Sequence, residues 1–76
     1  MDVKPLRQWR IEKGYGLKEL ARRAGVSHTT VLRIERGETH GQAGTYRKLA
    51  EALGLPGPLA ILEYRQLVQA GEDTPG

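Results

Sequence analysis

The residues best suited to bind a ligand lie between positions 28 and 36. At about 100° of rotation per residue, a helix over this segment places Val31 and Ile34 on one side. The opposite side has no acidic residue and carries His28, Thr29, Leu32, Arg33 and Arg36. Arginine can donate two hydrogen bonds to guanine, threonine offers a hydroxyl or methyl contact, and leucine can contact the thymine methyl group. These types favour a surface that reads base edges; an ordinary solvated helix with one stray leucine is the alternative.

Glycines divide the chain into the elements that must position this surface. Helices often end at a glycine in the left-handed conformation, and five glycines each follow a segment with helical periodicity: Gly14, Gly25, Gly37, Gly54 and Gly71. The sequence therefore predicts an all-α fold with five helices, near residues 5–13, 17–24, 28–36, 43–53 and 58–70. They form one domain over residues 1–71, followed by a disordered tail over residues 72–76.

The joint between the second and third predicted helices is very short. Ala24-Gly25-Val26 and the N-cap Ser27 connect them, and so tight a connection forces two helices to cross steeply, as in a helix-turn-helix. Gly16 is a poorer cap for the second helix. The spacing taken alone also fits small helical bundles that never bind DNA.

Charge is distributed unevenly along the 76 residues. Residues 1–48 contain eleven Lys and Arg against five Asp and Glu, a net charge of +6, whereas residues 49–76 have a net charge of −3. The basic part suggests a surface for a polyanion, and the acidic part a surface for something else. A solvated basic face that binds nothing is the alternative.

The composition argues against catalysis and against a cofactor, metal or small-molecule site. The chain has no cysteine, and its two histidines, His28 and His40, have no second ligand at metal-binding spacing. Ser27 is explained as a helix cap, and no acidic residue accompanies His28 to orient it. The longest apolar run, residues 59–62, is too short for a membrane span or a signal peptide. We therefore expect a protein that is not an enzyme and has no membrane partner.

Four short motifs follow one another along the chain. They are Trp9-Arg10-x-x-Lys13-Gly14, Glu19-Leu20-Ala21-x-x-Ala24-Gly25-Val26-Ser27, Val31-x-x-Ile34-Glu35-x-Gly37 and Lys48-Leu49-Ala50-x-Ala52-Leu53-Gly54-Leu55. Together they resemble the phage-repressor and Cro family of helix-turn-helix proteins, over about residues 5–62. The resemblance implies a transcriptional regulator, a repressor, that binds double-stranded DNA as a homodimer with its third helix in the major groove. It also implies a cytoplasmic location at the nucleoid, in a bacterial or phage context.

The resemblance assigns roles to individual residues. The base-reading positions are His28, Thr29, Leu32 and Arg33. Thr30 falls at the groove edge, near a phosphate or a thymine methyl group, and the helix starts around Leu17 and Ala43 direct backbone amides at phosphates. Further phosphate contacts are expected from Lys18, Arg36, Arg47 and Lys48. Arg10 and Glu35 match positions that form a partly buried ion pair in the family; two separate surface charges are the alternative.

Three features depart from the family pattern. Gly16 and Leu17 stand where the family usually has Ser or Thr followed by Gln, so a hydroxyl cap and an amide contact to DNA are missing. The loop over residues 38–42 has no Lys or Arg, and the chain continues into a long fifth helix. Leu17, an exposed Leu32 and this loop favour a competing hypothesis: a protein-interaction module, such as an antirepressor or assembly adaptor, on a helix-turn-helix scaffold with little DNA binding.

The predicted fifth helix carries two apolar stripes. Leu59 and Leu62 form one that is suited to packing on the domain, and Ala60 belongs to the second, on a different side. A small domain rarely needs both, so the second stripe predicts a homodimer interface. Its residues are Ile61, Tyr64, Leu67 and Val68. The alternative is a helix that folds back and buries both stripes within one chain.

Overall fold

The computed structural model describes residues 2–72, with side chains up to Gln69. The helices are α1 (Leu6–Glu12), α2 (Leu17–Ala24), α3 (His28–Glu35), α4 (Ala43–Ala52) and α5 (Leu62–Glu72), with a 3₁₀ turn over Pro58–Ala60 between α4 and α5. The predicted all-α fold is confirmed, and four of the predicted helices agree with α1–α4 to within one residue at each end.

The core is built where the apolar faces of the helices meet. Each of α2, α3 and α4 contributes at least two buried apolar residues, and Leu6 joins them from α1. The fully or almost fully buried side chains are Leu6, Leu20, Ala21, Ala24, Val31, Ile34, Tyr46, Leu49, Ala50, Leu53, Ala60 and Ile61. Their spacing at three and four residues in α2–α4 is what an amphipathic helix needs to bury one side and expose the other.

The turn between α2 and α3 is shaped by local signals. Gly25 has φ 72° and ψ 33°, a left-handed conformation that costs glycine little because it has no Cβ atom. The amide of Val26 then donates to the carbonyl of Ala21 at 2.9 Å, closing the end of α2. Ser27 begins α3, and its side chain accepts a hydrogen bond from the amide of Thr29 at 3.2 Å. These contacts hold α3 at a fixed angle to α2.

The C-terminal segment differs from the prediction of one helix over residues 58–70. The chain leaves the 3₁₀ turn at Ile61, which is extended with φ −92° and ψ 119°, and α5 starts one residue later. Ile61 forms a parallel bridge with Lys4: the amide of Lys4 donates to the carbonyl of Ala60 at 3.1 Å, and the amide of Leu62 donates to the carbonyl of Lys4 at 2.9 Å. Pairing with the N-terminal segment thus interrupts the helix.

This interruption reverses the two predicted stripes. Leu59, predicted to face the domain, is 48% exposed, whereas Ala60 and Ile61, predicted to face a partner, are 0% exposed. Ile61 was therefore wrongly predicted as an interface residue, because the extended residue changes the rotational phase of all that follows it. Tyr64 and Leu67 also pack against the core, and Val68 is half-buried.

The end of α5 also differs from the sequence prediction. Gly71 does not terminate the helix, which runs on to Glu72, so the first residue of the predicted disordered tail is helical. The remainder of that predicted tail, residues 73–76, lies outside the described residues.

Candidate nucleic-acid interface

The outer face of α3 is an exposed surface with a positive charge excess. His28, Thr29, Arg33 and Arg36 are exposed, while Thr30 is half-buried at the edge of the face. Leu32 was predicted on the outward side of the helix, but it is half-buried rather than exposed. Guanidinium, hydroxyl and imidazole groups are all donors that can reach base edges or phosphates. The face can therefore bind a polyanion and distinguish its bases.

The one carboxylate of α3 is neutralised by α1. Arg10 donates from Nε to Glu35 Oε2 at 2.7 Å and from Nη2 to Oε1 at 3.0 Å. The two side chains are 13% and 5% exposed, and the hydrogen bonds to Glu35 raise the pKa of Arg10 above its ordinary value. Arg10 Nη1 also donates to the carbonyl of Tyr15 at 3.1 Å. One guanidinium thus joins α1, the α1–α2 loop and α3 in the orientation that presents the outer face.

Two helix starts, those of α2 and α4, have amides that no side chain caps. Gly16 begins α2 and Gln42 begins α4, and neither residue makes a side-chain cap hydrogen bond. By contrast, Ser27 caps α3, and Glu63 Oε1 accepts from the amide of Leu6 at the start of α1 at 2.9 Å. Uncapped amides at a helix N-terminus are suited to bind phosphate oxygens. These are the two helix starts, Leu17 and Ala43, at which the resemblance places phosphate contacts.

A groove runs between the start of α2 and the outer face of α3. It is lined by Arg7, Arg10, Leu17, Leu32, Glu35 and Arg36. The structure thus brings together three of the predicted DNA-contact residues, Leu17, Leu32 and Arg36, with the predicted ion pair. Arg7 was not predicted as a site residue, although its position three residues before Arg10, about one helical turn away, was a usable signal.

The remaining basic side chains are in different environments. Lys18, Arg47 and Lys48 are exposed and make no ion pair with the side chains described, those of residues 2–69. Arg47 lines a separate groove with the loop over residues 55–58, so it is not part of the groove between α1, α2 and α3.

Several other cations are paired with acidic groups. Arg36 Nη1 lies 3.7 Å from Glu38 Oε2, with both side chains more than half exposed, so this pair contributes little. Glu19 lies 2.7 Å from Arg22 and 3.5 Å from Arg23, and Arg22 and Arg23 lower the pKa of Glu19. Lys4 pairs with Glu12 at 2.8 Å and lies 4.7 Å from the centre of the Trp9 ring. Part of the positive charge of residues 1–48 is thereby cancelled, while the outer face of α3 keeps its excess.

Two contacts that sequence reasoning missed hold the C-terminal segment against α1. The indole Nε1 of Trp9 donates to the carbonyl of Ala60 at 2.7 Å, and Glu63 caps α1 as described above. Tyr46 donates its hydroxyl to the carbonyl of His40, and its ring lies 5.3 Å from that of Tyr64. Burial raises the pKa of Tyr46 to about 12, with a smaller contribution from the charge of Glu63.

Other kinds of site were also sought in the described part of the chain. Over residues 2–69, no group of three or more His, Asp or Glu side chains is arranged to hold a metal ion. In the same residues, every helix is too short or too polar to span a membrane.

Comparison with known proteins agrees with this geometry. A family model described as a helix-turn-helix domain matches residues 5–60. Among solved structures, the chain is similar to a protein described as a hypothetical transcription factor from Neisseria, with 29% sequence identity and a TM-score of 0.68. The match covers 86% of this chain and 75% of the other. Among curated proteins, no relative matches the sequence. The family match spans most of the chain, so the protein belongs to the helix-turn-helix domain family.

Proposed function

We propose that this protein is a sequence-specific regulator of transcription that binds double-stranded DNA with α3 in the major groove. The observation that carries the proposal is the outer face of α3. It exposes His28, Thr29 and Arg33, and the ion pair with Arg10 compensates the charge of Glu35, the only carboxylate on the helix. Base-edge contacts from such a face specify sequence, while phosphate contacts around it set the position of the helix.

The surroundings of α3 support the phosphate part of this interface. The uncapped amides at Leu17 and Ala43 lie at helix starts that favour anions. Lys18, Lys48 and Arg47 are exposed cations in the same basic part of the chain, and Arg36 lies at the end of α3. The description of the Neisseria relative as a hypothetical transcription factor supports regulation as the purpose of binding. The resemblance to phage repressors supports repression, at the nucleoid of a bacterial or phage-infected cell.

The proposal is tested by binding to mixed genomic DNA fragments over a salt series, followed by sequencing of the retained fragments. Neutralising about six phosphates should weaken affinity about a thousandfold between about 50 and about 200 mM salt. Sequencing should return one enriched motif. No retention at low salt, or affinity that does not change with salt, would contradict the proposal.

Two arginines on α3 separate base reading from phosphate binding. Arg33 is exposed within the last turn of α3, and Arg36 follows the last helical residue. Arg33→Ala should cost about 1–3 kcal/mol on the preferred site and relax the preference at one base pair per half-site. Arg36→Ala should weaken all sequences about equally and reduce the salt slope by about one phosphate per protomer. If Arg33→Ala lowers affinity uniformly with the base preference intact, sequence reading belongs to His28, Thr29 and Leu32 instead.

We further propose that two copies bind one operator, since the family reads paired half-sites. Of the predicted interface, Ile61 is excluded by its burial. Tyr64 and Leu67 pack on the core, which leaves Val68 as the half-buried apolar residue outside that packing. Val68→Asp should therefore convert a dimer to a folded monomer in light scattering. The matched control is Gln69→Asp, at the adjacent exposed position; equal dimerisation of the two variants would remove α5 from the interface.

A protein-interaction module without DNA binding is the second candidate. It is favoured by Leu17 at the start of α2 and by the loop over residues 38–42, which has no Lys or Arg. Binding without catalysis is proposed in either case, because His28 and His40 are exposed and make no side-chain hydrogen bond to a carboxylate of residues 2–69. The low-salt binding experiment separates the candidates, since a module of this kind retains no duplex.

A further inference from the structure

The groove between α1, α2 and α3 places two leucines beside the Arg10–Glu35 ion pair and two further arginines. Leu17 and Leu32 are its two apolar residues, and both are half-buried. Arg7 and Arg36 are exposed cations on either side, contributed by α1 and by the end of α3. The carboxylate of Glu35 also lines the groove, but its two hydrogen bonds from Arg10 compensate its charge. The groove therefore repels no anion and offers a small apolar contact.

The position of Leu17 determines which part of a DNA duplex the groove can contact. Leu17 is the first residue of α2, where the backbone amides have no side-chain cap. A phosphate at those amides, at Arg7 or at Arg36 would bring the neighbouring base edge over the two leucines. In the major groove of DNA, the apolar group that a base edge presents is the 5-methyl group of thymine, and cytosine carries an equivalent group only when methylated. The positive charge of the arginines and the apolar leucines thus both favour a pyrimidine methyl group beside a phosphate.

We propose that this groove reads the 5-methyl group of a pyrimidine. Leu17 and Leu32 contact the methyl group, and Arg7 and Arg36 hold the adjacent phosphates. The inference rests on the proposed function and adds specificity to it. It also gives a reason for leucine at position 17, where the resemblance leads one to expect a polar residue. Sequence reasoning considered a methyl contact for Leu32, whereas Leu17 and Arg7 join it only because the fold places the three helices side by side.

The test uses the DNA motif enriched from genomic fragments, with each thymine replaced in turn by deoxyuridine. This change removes one methyl group and keeps the hydrogen-bonding edge. The full chain should bind about fourfold more weakly per methyl group at one position in each half-site, the amount expected for one buried methyl. With a cytosine–guanine pair at that position, 5-methylcytosine should bind better than cytosine by a similar factor.

Variants of the groove assign the effect to its residues. Leu17→Gln, which keeps the length of the side chain, and Leu32→Ala should each reduce the thymine-to-deoxyuridine ratio to about one. Leu55→Ala is the control, because Leu55 is also half-buried but lines the separate groove beside Arg47; it should leave the ratio unchanged. Arg7→Gln should preserve the ratio and reduce the salt slope by about one phosphate per protomer.

The outcomes distinguish this inference from the proposed function. No retention of any duplex at low salt overturns both. Sequence-selective binding in which every deoxyuridine substitution changes affinity by less than about twofold overturns only the methyl-reading groove. A methyl effect that persists in both leucine variants also overturns it and assigns the methyl contact to Thr29 or Thr30. The ratio measured on the unmodified protein needs no variant to fold.

Discussion

The α2–α3 unit and the C-terminal segment from Pro58 to Glu72 are built by different kinds of contact. In the α2–α3 unit, the turn is closed by Gly25, by the amide of Val26 and by the cap Ser27, all within a few residues of one another. In the C-terminal segment, the defining hydrogen bonds come from Lys4, Leu6 and Trp9, more than fifty residues earlier in the chain. The first unit is determined locally, and the second is determined by what it packs against.

This difference explains where sequence reasoning succeeded. Helical periodicity and capping describe what a segment prefers by itself, and these preferences decide the bounds of α2 and α3. They carry no information about a residue that leaves a helix to pair with a distant strand-like segment. Ile61 does so, and one extended residue was enough to exchange the buried and exposed sides of the segment.

The largest effect is expected at the residues where the helix predicted from the sequence and the C-terminal segment in the structure differ in burial. Ile61→Asp places a charge at a position that is 0% exposed, whereas Leu59→Asp places it at one that is 48% exposed. The first should lower the free energy of unfolding by more than about 4 kcal/mol, because a buried carboxylate has no partner there. The second should cost about 1 kcal/mol or less. Urea unfolding followed by circular dichroism measures both; the reverse order would restore the continuous predicted helix.

The next effect tests the link between α1 and α3. Arg10→Leu leaves the carboxylate of Glu35, 5% exposed, without its guanidinium partner, and should cost about 3 kcal/mol of unfolding free energy. The double variant Arg10→Leu with Glu35→Leu removes both charges and should recover most of that loss. Thermodynamic coupling in this double-mutant cycle is the measurement. Additive single and double effects would show that the two residues stabilise the fold independently.

A pH dependence should arise from the packing of α4 against α5. Burial raises the pKa of Tyr46 from 10.0 to about 12, so the folded protein holds this proton more tightly than the unfolded chain. The resulting stability is fully present below pH 10 and is lost as the pH rises through about 12. The loss should amount to about 3 kcal/mol at most. Denaturant unfolding between these pH values measures it, and Tyr46→Phe should flatten the profile; an unchanged slope in that variant would exclude Tyr46 as the cause.

The smallest effect concerns the cap of α3. Ser27→Ala removes the acceptor for the amide of Thr29 and should cost about 1 kcal/mol. Ser27→Asp keeps a capping oxygen and should recover most of that loss. Thermal unfolding of the two variants beside the parent decides the matter. If the two variants are equally stable, the turn is held by Gly25 and by core packing without the cap.

The candidate site shows the same division between local and distant contacts. The exposed residues of α3 follow from the rotation of one helix, since Val31 and Ile34 determine which side is buried. The depth of Leu32 does not follow from it, because that depends on how closely Leu17 and Arg7 approach from two other helices. The hydrogen bond from the amide of Leu6 to Glu63 could not be predicted at all, because no local pattern relates residues 57 positions apart.

By itself, the sequence determined the all-α class, the bounds of α1–α4, the α2–α3 turn and the face of α3 that meets solvent. These depend on backbone propensity, on capping and on apolar periodicity, which are properties of neighbouring residues. Only the tertiary structure decided that Ile61 is core, that Trp9 holds the carbonyl of Ala60, and that Arg7, Leu17 and Leu32 share a groove. Those outcomes depend on which distant backbone groups and side chains need a partner once the helices pack, and only three-dimensional packing brings those partners together.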